Sequence, residues 1–258
     1  MHTVTDANVT GGTLTFRGVT SGPTANMIVD LSIPGVGLNA SNLVMNGSIR
    51  QSDDSRLNFT IAPSGALSYA TMGTWSYFAS AGVSGFDGAA LTGYQTQAGH
   101  VPTSGAATFI GLKGSSQGDA KAGGVTGLIW VPSDGGNPTI GGGLSGNAQL
   151  NINFATGSVA GQLTNMTVGT AGGSSAWNDV NLSGNLSGAS LSGTTSTPGQ
   201  PASVPAFFPP GMSSAATGTF KGALYGPNAT EVGAIWTLSE PSALGGKSAL
   251  GVIGATKQ

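Results

Sequence analysis

Side chains able to carry acid–base or nucleophilic chemistry are scarce in this chain. Of the 258 residues, two are histidines, two are glutamates (Glu231 and Glu240), and none is cysteine. The absence of cysteine excludes disulfides, thiolate metal sites and cysteine nucleophiles. Acid–base catalysis needs carboxylates or imidazoles held together with shifted pKa values, and the sequence offers no such cluster. It therefore predicts a protein that is not an enzyme.

Two glycine-rich motifs match catalytic or nucleotide-binding patterns without the context that those patterns need. Residues 114–118 match G-x-S-x-G, but a nucleophile elbow needs a strand that enters a helix, and helical periodicity is nearly absent. Residues 141–146 match G-x-G-x-x-G, yet no helix N-terminus is predicted after them to hold a pyrophosphate. We interpret the first match as chance and the second as a flexible turn.

His100 is the main candidate for a ligand-binding side chain. It lies in a predicted loop over residues 79–103, six residues after Tyr94, and Phe86 could line an apolar pocket beside them. Histidine and tyrosine are axial ligands of haem iron, so haem is a candidate cofactor. The alternative is a solvated loop histidine.

A second predicted loop, residues 195–214, is rich in proline and contains Phe207 and Phe208. Long loops in compact β-domains usually carry function or are mobile. We therefore expect the two phenylalanines to contribute to ligand binding. Asp53 and Asp54 are interpreted as a charged hairpin tip rather than a calcium site, and no metal site is predicted.

Composition and periodicity indicate an all-β protein. Glycine accounts for 45 residues, and 7% of the chain is charged, against about 25% in an average protein. Apolar residues alternate with polar ones at period two between Gly, Pro, Asn and Asp, which is typical of strands and turns. Residues 10–63 predict about four short strands. Longer strands are predicted at 67–78, 105–112, 124–131, 144–154, 158–168, 180–193, 219–224, 231–238 and 249–255.

The predicted organisation is a small antiparallel β-sheet over residues 1–63, followed by an eight-stranded antiparallel β-barrel over residues 64–258. Small and large side chains alternate along the later strands, which suits the limited interior of a closed barrel. Trp75, Trp130 and Trp236 are expected to pack in the interior or at the rim. An integral membrane barrel is a further alternative, although it would need apolar strand faces and aromatic girdles.

Charge and hydropathy limit the partners and the location. A net charge of −2 with scattered Lys and Arg gives no footprint for nucleic acid. No apolar run approaches the roughly 18 residues of a membrane helix, and no signal peptide is visible. We expect the chain to be the mature region or one domain of a surface or secreted protein.

Specific motifs lie in the second half of the chain. Residues 218–236 form a glycine-framed strand, a turn of Tyr225, Gly226, Pro227, Asn228 and Ala229, and then Glu231, Val232 and Gly233. The chain closes with Gly-Val-Ile-Gly-Ala at 251–255. Together with the runs at 72–75, 102–109 and 148–161, these motifs resemble the barrels of transferrin-binding-protein-B-like bacterial surface proteins. The resemblance covers residues 66–258.

The resemblance implies a non-catalytic protein of a Gram-negative bacterium, anchored to the outer membrane or secreted. It would capture iron, haem or a host protein, as the family includes haem-, haemoglobin- and complement-regulator-binding members. A TonB-dependent receptor or an outer-membrane secretion system would be a partner. The alternative is a structural or adhesive barrel module of a larger envelope or secreted protein.

The turn motif itself is interpreted as structural. Glycines at 226 and 233 allow a sharp turn and close packing, and Pro227 and Asn228 suit turn positions. Glu231 is expected either to be buried and paired or to contact a ligand.

Overall fold

The fold consists of two antiparallel sheets. The computed structural model describes residues 13–17, 27–33, 38–46, 51–52, 57–61, 67–80, 83–115, 119–132, 138–199, 211–241 and 246–258. Among them, the only helical element is a single 3-10 turn, Ala98–His100. None of the described residues forms a helix long and apolar enough to cross a membrane.

The amino-terminal sheet is a meander of seven strands that pair in sequence order. Its strands are β1 (Thr13–Arg17), β2 (Met27–Ile33), β3 (Leu38–Asn46), β4 (Gln51–Ser52), β5 (Leu57–Ile61), β6 (Ala70–Ser80) and β7 (Val83–Gly93). The sheet therefore continues past position 63, and the barrel strands begin at Ala106. The division into folding units at residues 1–63 and 64–258 stays a prediction.

β7 corrects the expectation of a loop throughout residues 79–103. This strand is built mostly from small residues, so it lacks the apolar alternation that marks a strand in sequence. Pairing with β6 supplies the missing stabilisation, because Trp75 packs its indole over Gly88. A Cβ at Gly88 would lie 2.5 Å from the indole ring of Trp75.

The remaining strands are β8 (Ala106–Gly111), β9 (Gly123–Pro132), β10 (Pro138–Asn153), β11 (Ser158–Thr170), β12 (Gly173–Ala176), β13 (Val180–Ser187), β14 (Ser190–Ser196), β15 (Thr217–Tyr225), β16 (Glu231–Ser239) and β17 (Ser248–Lys257). Hydrogen bonding runs around a closed circuit of eight strands, β9, β10, β11, β13, β14, β15, β16 and β17, and then returns to β9. The prediction of an eight-stranded antiparallel barrel preceded by an antiparallel sheet is confirmed.

β8 and β9 occupy one position in the barrel wall. β8 pairs with residues 148–153 of β10, and β9 pairs with residues 138–146 of the same strand. β17 likewise pairs with both. The two strands are thus one wall strand interrupted by the segment 112–122.

Two sequence interpretations need correction here. Residues 141–146 are not a turn but part of β10, which passes through register shifts at Ile140/Gly142 and Ser145/Asn147. The predicted strand over 180–193 is a hairpin of β13 and β14, because Gly188 adopts a φ of 58° between them.

Apolar side chains fill the barrel interior. The largest fully buried ones are Trp236, Phe109, Phe220, Ile129, Leu144, Leu150, Ile152, Leu163, Met166 and Leu191. Gly184 and Gly193 face Phe220, whose ring would lie within 2.9 Å of a Cβ at either position. An eight-stranded barrel has room for little more than its own side chains. Ligand binding is therefore expected on its surface or at its ends.

The two ends of the barrel differ. At the turn end, short connections join β10 to β11, β13 to β14 and β15 to β16. At the loop end, longer connections lie between Thr170 and Val180, between Ser196 and Thr217, and between Ser239 and Ser248.

Candidate functional site

A crossing segment, residues 94–105, spans the turn end of the barrel. At one side the N–H of Thr96 donates to the carbonyl of Leu224 in β15 at 2.9 Å. At the other, the N–H of Phe154, which follows β10, donates to Gly105 at 2.9 Å. β15 and β10 stand opposite each other in the circuit. Val101 packs against the interior core, so the segment covers this end of the barrel.

Two of the predicted ligand-binding side chains lie on the crossing segment. His100 ends the 3-10 turn and is exposed, and Tyr94 is 80% exposed. A haem held by either side chain would therefore lie at the protein surface. Phe86 belongs to β7, where it pairs with Tyr77 of β6. Phe207 and Phe208, like the Asp53–Asp54 pair, lie outside the described residues.

The turn motif positions a buried carboxylate. Gly226, Asn228 and Ala229 have φ angles of 74°, 54° and 56°, so the chain reverses through left-handed backbone before Glu231. Glu231 is 3% exposed.

The Glu231 carboxylate binds three consecutive backbone N–H groups. Its Oε1 accepts from Ser68 at 2.6 Å, and its Oε2 accepts from Tyr69 and Ala70 at 2.9 Å each. Ser68 and Tyr69 immediately precede β6 and Ala70 is its first residue, so the carboxylate ties the amino-terminal sheet to the barrel.

Apolar contacts extend this junction. Leu67, Ala70 and Met72 of the sheet side form a buried cluster with Ala122, Ala223, Tyr225 and Val252. Gly233 and Gly254 allow close approach, since a Cβ there would lie 2.6 Å from Leu91 and Leu67 respectively. Burial raises the pKa of Tyr225 to about 12. The sheet thus covers the outer face of β16 and β17 and, on β15, only its end at residues 223–225.

At the loop end, Asn178 holds the roots of the β14–β15 connection. Its side-chain NH2 donates to Thr197 Oγ1 at 3.1 Å, to the Met212 carbonyl at 2.9 Å and to the Gly199 carbonyl. Its Oδ1 accepts from the Met212 N–H at 2.6 Å. Asn178 is 1% exposed. One amide therefore fixes the points where this connection leaves and rejoins the barrel.

An ion pair fixes the neighbouring connection. Lys247 Nζ lies 3.0 Å from Glu240 Oε2, and the N–H of Ser213 donates to Glu240 Oε1 at 2.8 Å. Burial raises the pKa of Glu240, but the Ser213 N–H and the Lys247 ammonium lower it by more, so the net pKa lies below its ordinary value. Sequence reasoning missed this pair and Asn178. The only sign of them in the sequence is that each is an isolated polar residue beside an apolar strand.

The outer polar face is the exposed side of β10, β11, β13, β14 and β15. Its residues pair across the strands in three rows: Gln149–Gln162–Asn181–Ser196–Thr217, Asn151–Ala160–Ser183–Thr194–Thr219, and Ser158–Asn185–Ser192–Lys221. All are amide or hydroxyl side chains except Ala160 and Lys221. The face is thus polar and almost free of charge.

A shallow groove of about 250 Å³ lies at one edge of the outer polar face. It is lined by Ala106, Ala107, Thr108, Asn151, Ile152, Asn153, Ser158 and Ala160. Thr108 Oγ1 donates to Asn151 Oδ1 at 2.8 Å across its floor. Within the described residues, no group of three His, Asp or Glu side chains could hold a metal ion.

A family model agrees with this geometry. The model describing the C-lobe and N-lobe β-barrels of Tf-binding protein B matches residues 101–257. The matched region begins on the crossing segment and includes all eight wall strands. No curated protein sequence matches the chain significantly.

Solved structures with a similar fold include transferrin-binding proteins B. A mutant of that protein from Haemophilus parasuis Hp5 is 16% identical, with a TM-score of 0.53 over 89% of this chain and 40% of the other. Intact Ap-TbpB, with N and C lobes, is 13% identical, with a TM-score of 0.47 over 96% of this chain and 39% of the other. The chain thus spans about 40% of the length of these proteins, and the first likeness supports the fold alone.

Proposed function

This chain belongs to the family of Tf-binding protein B β-barrels, and we propose that it is a non-catalytic binding protein of the Gram-negative cell surface. It is anchored to the outer membrane or secreted, and it captures an iron-carrying host protein. The observation that carries the proposal is the match of the family model to all eight wall strands. The filled interior supports it, because a rigid barrel can hold surface loops in place without enclosing a ligand.

We place the capture site at the loop end. Asn178 and the Glu240–Lys247 pair hold the roots of two connections through buried polar contacts. Because the ends of these connections are already held in place, a connection loses less conformational entropy when it binds a partner. Phe207 and Phe208 stay predicted contacts of this site, and a TonB-dependent receptor or secretion system stays a predicted partner.

Iron-loaded transferrin, the ligand in the names of the similar proteins, is the first probe. Biolayer interferometry with the immobilised chain should show saturable binding. Asn178→Ala should weaken it by freeing the loop roots, while Gln97→Ala, an exposed change at the turn end, should leave it unchanged. Absence of saturable binding by folded wild-type chain to transferrin and to haemoglobin would remove host-protein capture.

Haem binding is a second candidate, favoured by the exposed His100 and Tyr94 on one segment. A haem titration followed by the Soret band should then show a shift that is lost in His100→Ala. Identical spectra for wild type and variant would exclude His100 as the ligand.

A structural or adhesive module of a larger envelope protein is the remaining candidate. The uncharged outer polar face favours it, because such a surface suits a solvated spacer or a polar adhesive contact. Detecting the chain in cells only as part of a longer polypeptide that binds neither transferrin nor haem would support this reading.

A further inference from the structure

The outer polar face has the wrong chemistry for most macromolecular partners. Protein interfaces concentrate their energy in Trp, Tyr and Arg, and none of these occurs in its three rows. Anionic polymers and membranes are held by clusters of Lys and Arg. Lys221 is the single charged residue of the three rows, and Lys113 lies beside them, hydrogen-bonded to Thr167 of β11. Acyl chains need exposed apolar side chains, which are also absent from the rows apart from Ala160.

The same face suits a ligand made of uncharged hydroxyl groups. Asn and Gln amides both donate and accept hydrogen bonds, as do Ser and Thr hydroxyls, and sugar hydroxyls need partners of both kinds. Strand pairing places these groups on a grid of about 4.8 Å across the strands and about 6.7 Å along them. Because the strands are rigid, little order has to be gained on binding.

The groove adds shape to this chemistry. The small residues Ala106, Ser158 and Ala160 line it together with Asn151 and Asn153. Its volume of about 250 Å³ lies below the roughly 300–1,000 Å³ of pockets for drug-sized ligands. It can therefore receive one small ring rather than a large cofactor.

We propose that the outer polar face binds a neutral polysaccharide chain, with one sugar ring seated in the groove beside Asn151 and Ala160. The groove lies on the barrel wall, away from the loop end, and begins at Ala106, directly after the crossing segment. It is therefore a second binding function, separate from the capture site proposed at the loop end.

The test uses the whole chain in affinity electrophoresis through gels containing dextran, amylose or mannan, with alginate as the anionic comparison. Wild type should be retarded by at least one neutral polysaccharide, equally at low and high salt, because neutral contacts are not screened. A triple variant, Asn151→Ala with Gln162→Ala and Asn185→Ala, should lose at least about tenfold in affinity, or about 1.4 kcal/mol. Gln97→Ala removes an exposed amide outside the face and should bind as wild type.

A second variant guards against misfolding of the first. Ala160→Lys fills the groove while leaving the amides in place, and it should also weaken retardation at an unchanged melting temperature. The proposal is overturned if no neutral polysaccharide retards the folded wild type, if both variants bind like wild type, or if only alginate binds and salt abolishes it. Binding of transferrin or haem should be the same in all these variants, so failure of one function leaves the other measurable.

Discussion

The contact between Glu231 and the start of β6 gives the sharpest prediction for the junction between sheet and barrel. Glu231→Gln keeps the shape of the side chain but removes its charge and replaces one acceptor oxygen with an NH2 group. Three N–H donors at 2.6–2.9 Å then share one acceptor, and at least one of them meets another donor. Ser68 and Ala70, the outer two donors, bind different oxygens in wild type, so no rotation of the amide can satisfy all three.

The magnitude follows from the burial of the site. Hydrogen bonds to charged groups contribute about 1.5–3 kcal/mol each, and an unsatisfied buried donor costs about 1–3 kcal/mol. Allowing the amide oxygen to retain one or two bonds, we expect Glu231→Gln to lower the free energy of unfolding by about 2–4 kcal/mol. For a chain of this size, the melting temperature should fall by roughly 4–16 °C.

Urea unfolding followed by tryptophan fluorescence measures this loss. Asp179→Asn is the matched control, because it neutralises an exposed carboxylate and should change stability by no more than about 0.5 kcal/mol. Hydrogen exchange localises the effect: the amides of Ser68, Tyr69 and Ala70 should exchange faster in Glu231→Gln. Equal stability of the two variants would refute the reasoning.

Three further outcomes are expected. Gly222→Ala should destabilise the chain by about 1–3 kcal/mol in urea unfolding, because the added Cβ would overlap a backbone carbonyl of β16. The control is Gly143→Ala, whose Cβ would meet nothing within 4 Å. This control should be neutral or slightly stabilising. The pKa of Glu240 is lower in the folded state than its ordinary value of 4.5, so the free energy of unfolding should fall as the pH drops below 4.5. Lys247→Met should reduce this acid dependence. An unchanged slope of stability against pH in that variant would contradict the assignment. The pKa of Tyr225 rises from 10.0 to about 12 on folding, so stability should decline as pH rises from 10 towards 12, and Tyr225→Phe should flatten that decline in alkaline unfolding curves.

The barrel could be predicted from sequence because its signals are local. Alternation and glycine-bounded turns place β11, β15, β16 and β17 within about two residues of their observed ends, and they place the end but not the start of β10. The amino-terminal sheet was predicted with fewer strands than it has. β7 was missed because its stabilisation comes from β6 and from Trp75 over Gly88, and not from its own apolar residues.

Long-range relations could not be predicted from these patterns. The sequence indicates that Glu231 is either buried or in contact with a ligand, but its donors lie more than 160 residues earlier in the chain. The shared wall position of β8 and β9 depends on their common neighbours β10 and β17. Asn178 likewise gains its role only when Gly199 and Met212 are brought together. His100, Tyr94, Phe86, Phe207 and Phe208 stay predictions for ligand binding.

The structure restricts where this barrel can bind, although a fold by itself does not determine its partner. The interior is filled by side chains such as Trp236 and Phe109, and the amino-terminal sheet covers the outer face of β16 and β17 and the end of β15 at residues 223–225. The loop end, the crossing segment and the outer polar face remain. At the loop end, Asn178 and the Glu240–Lys247 pair bind residues close to the strands, among them Met212 and Ser213. The ends of these connections next to the strands are therefore held by buried polar contacts, which supports the capture site proposed there.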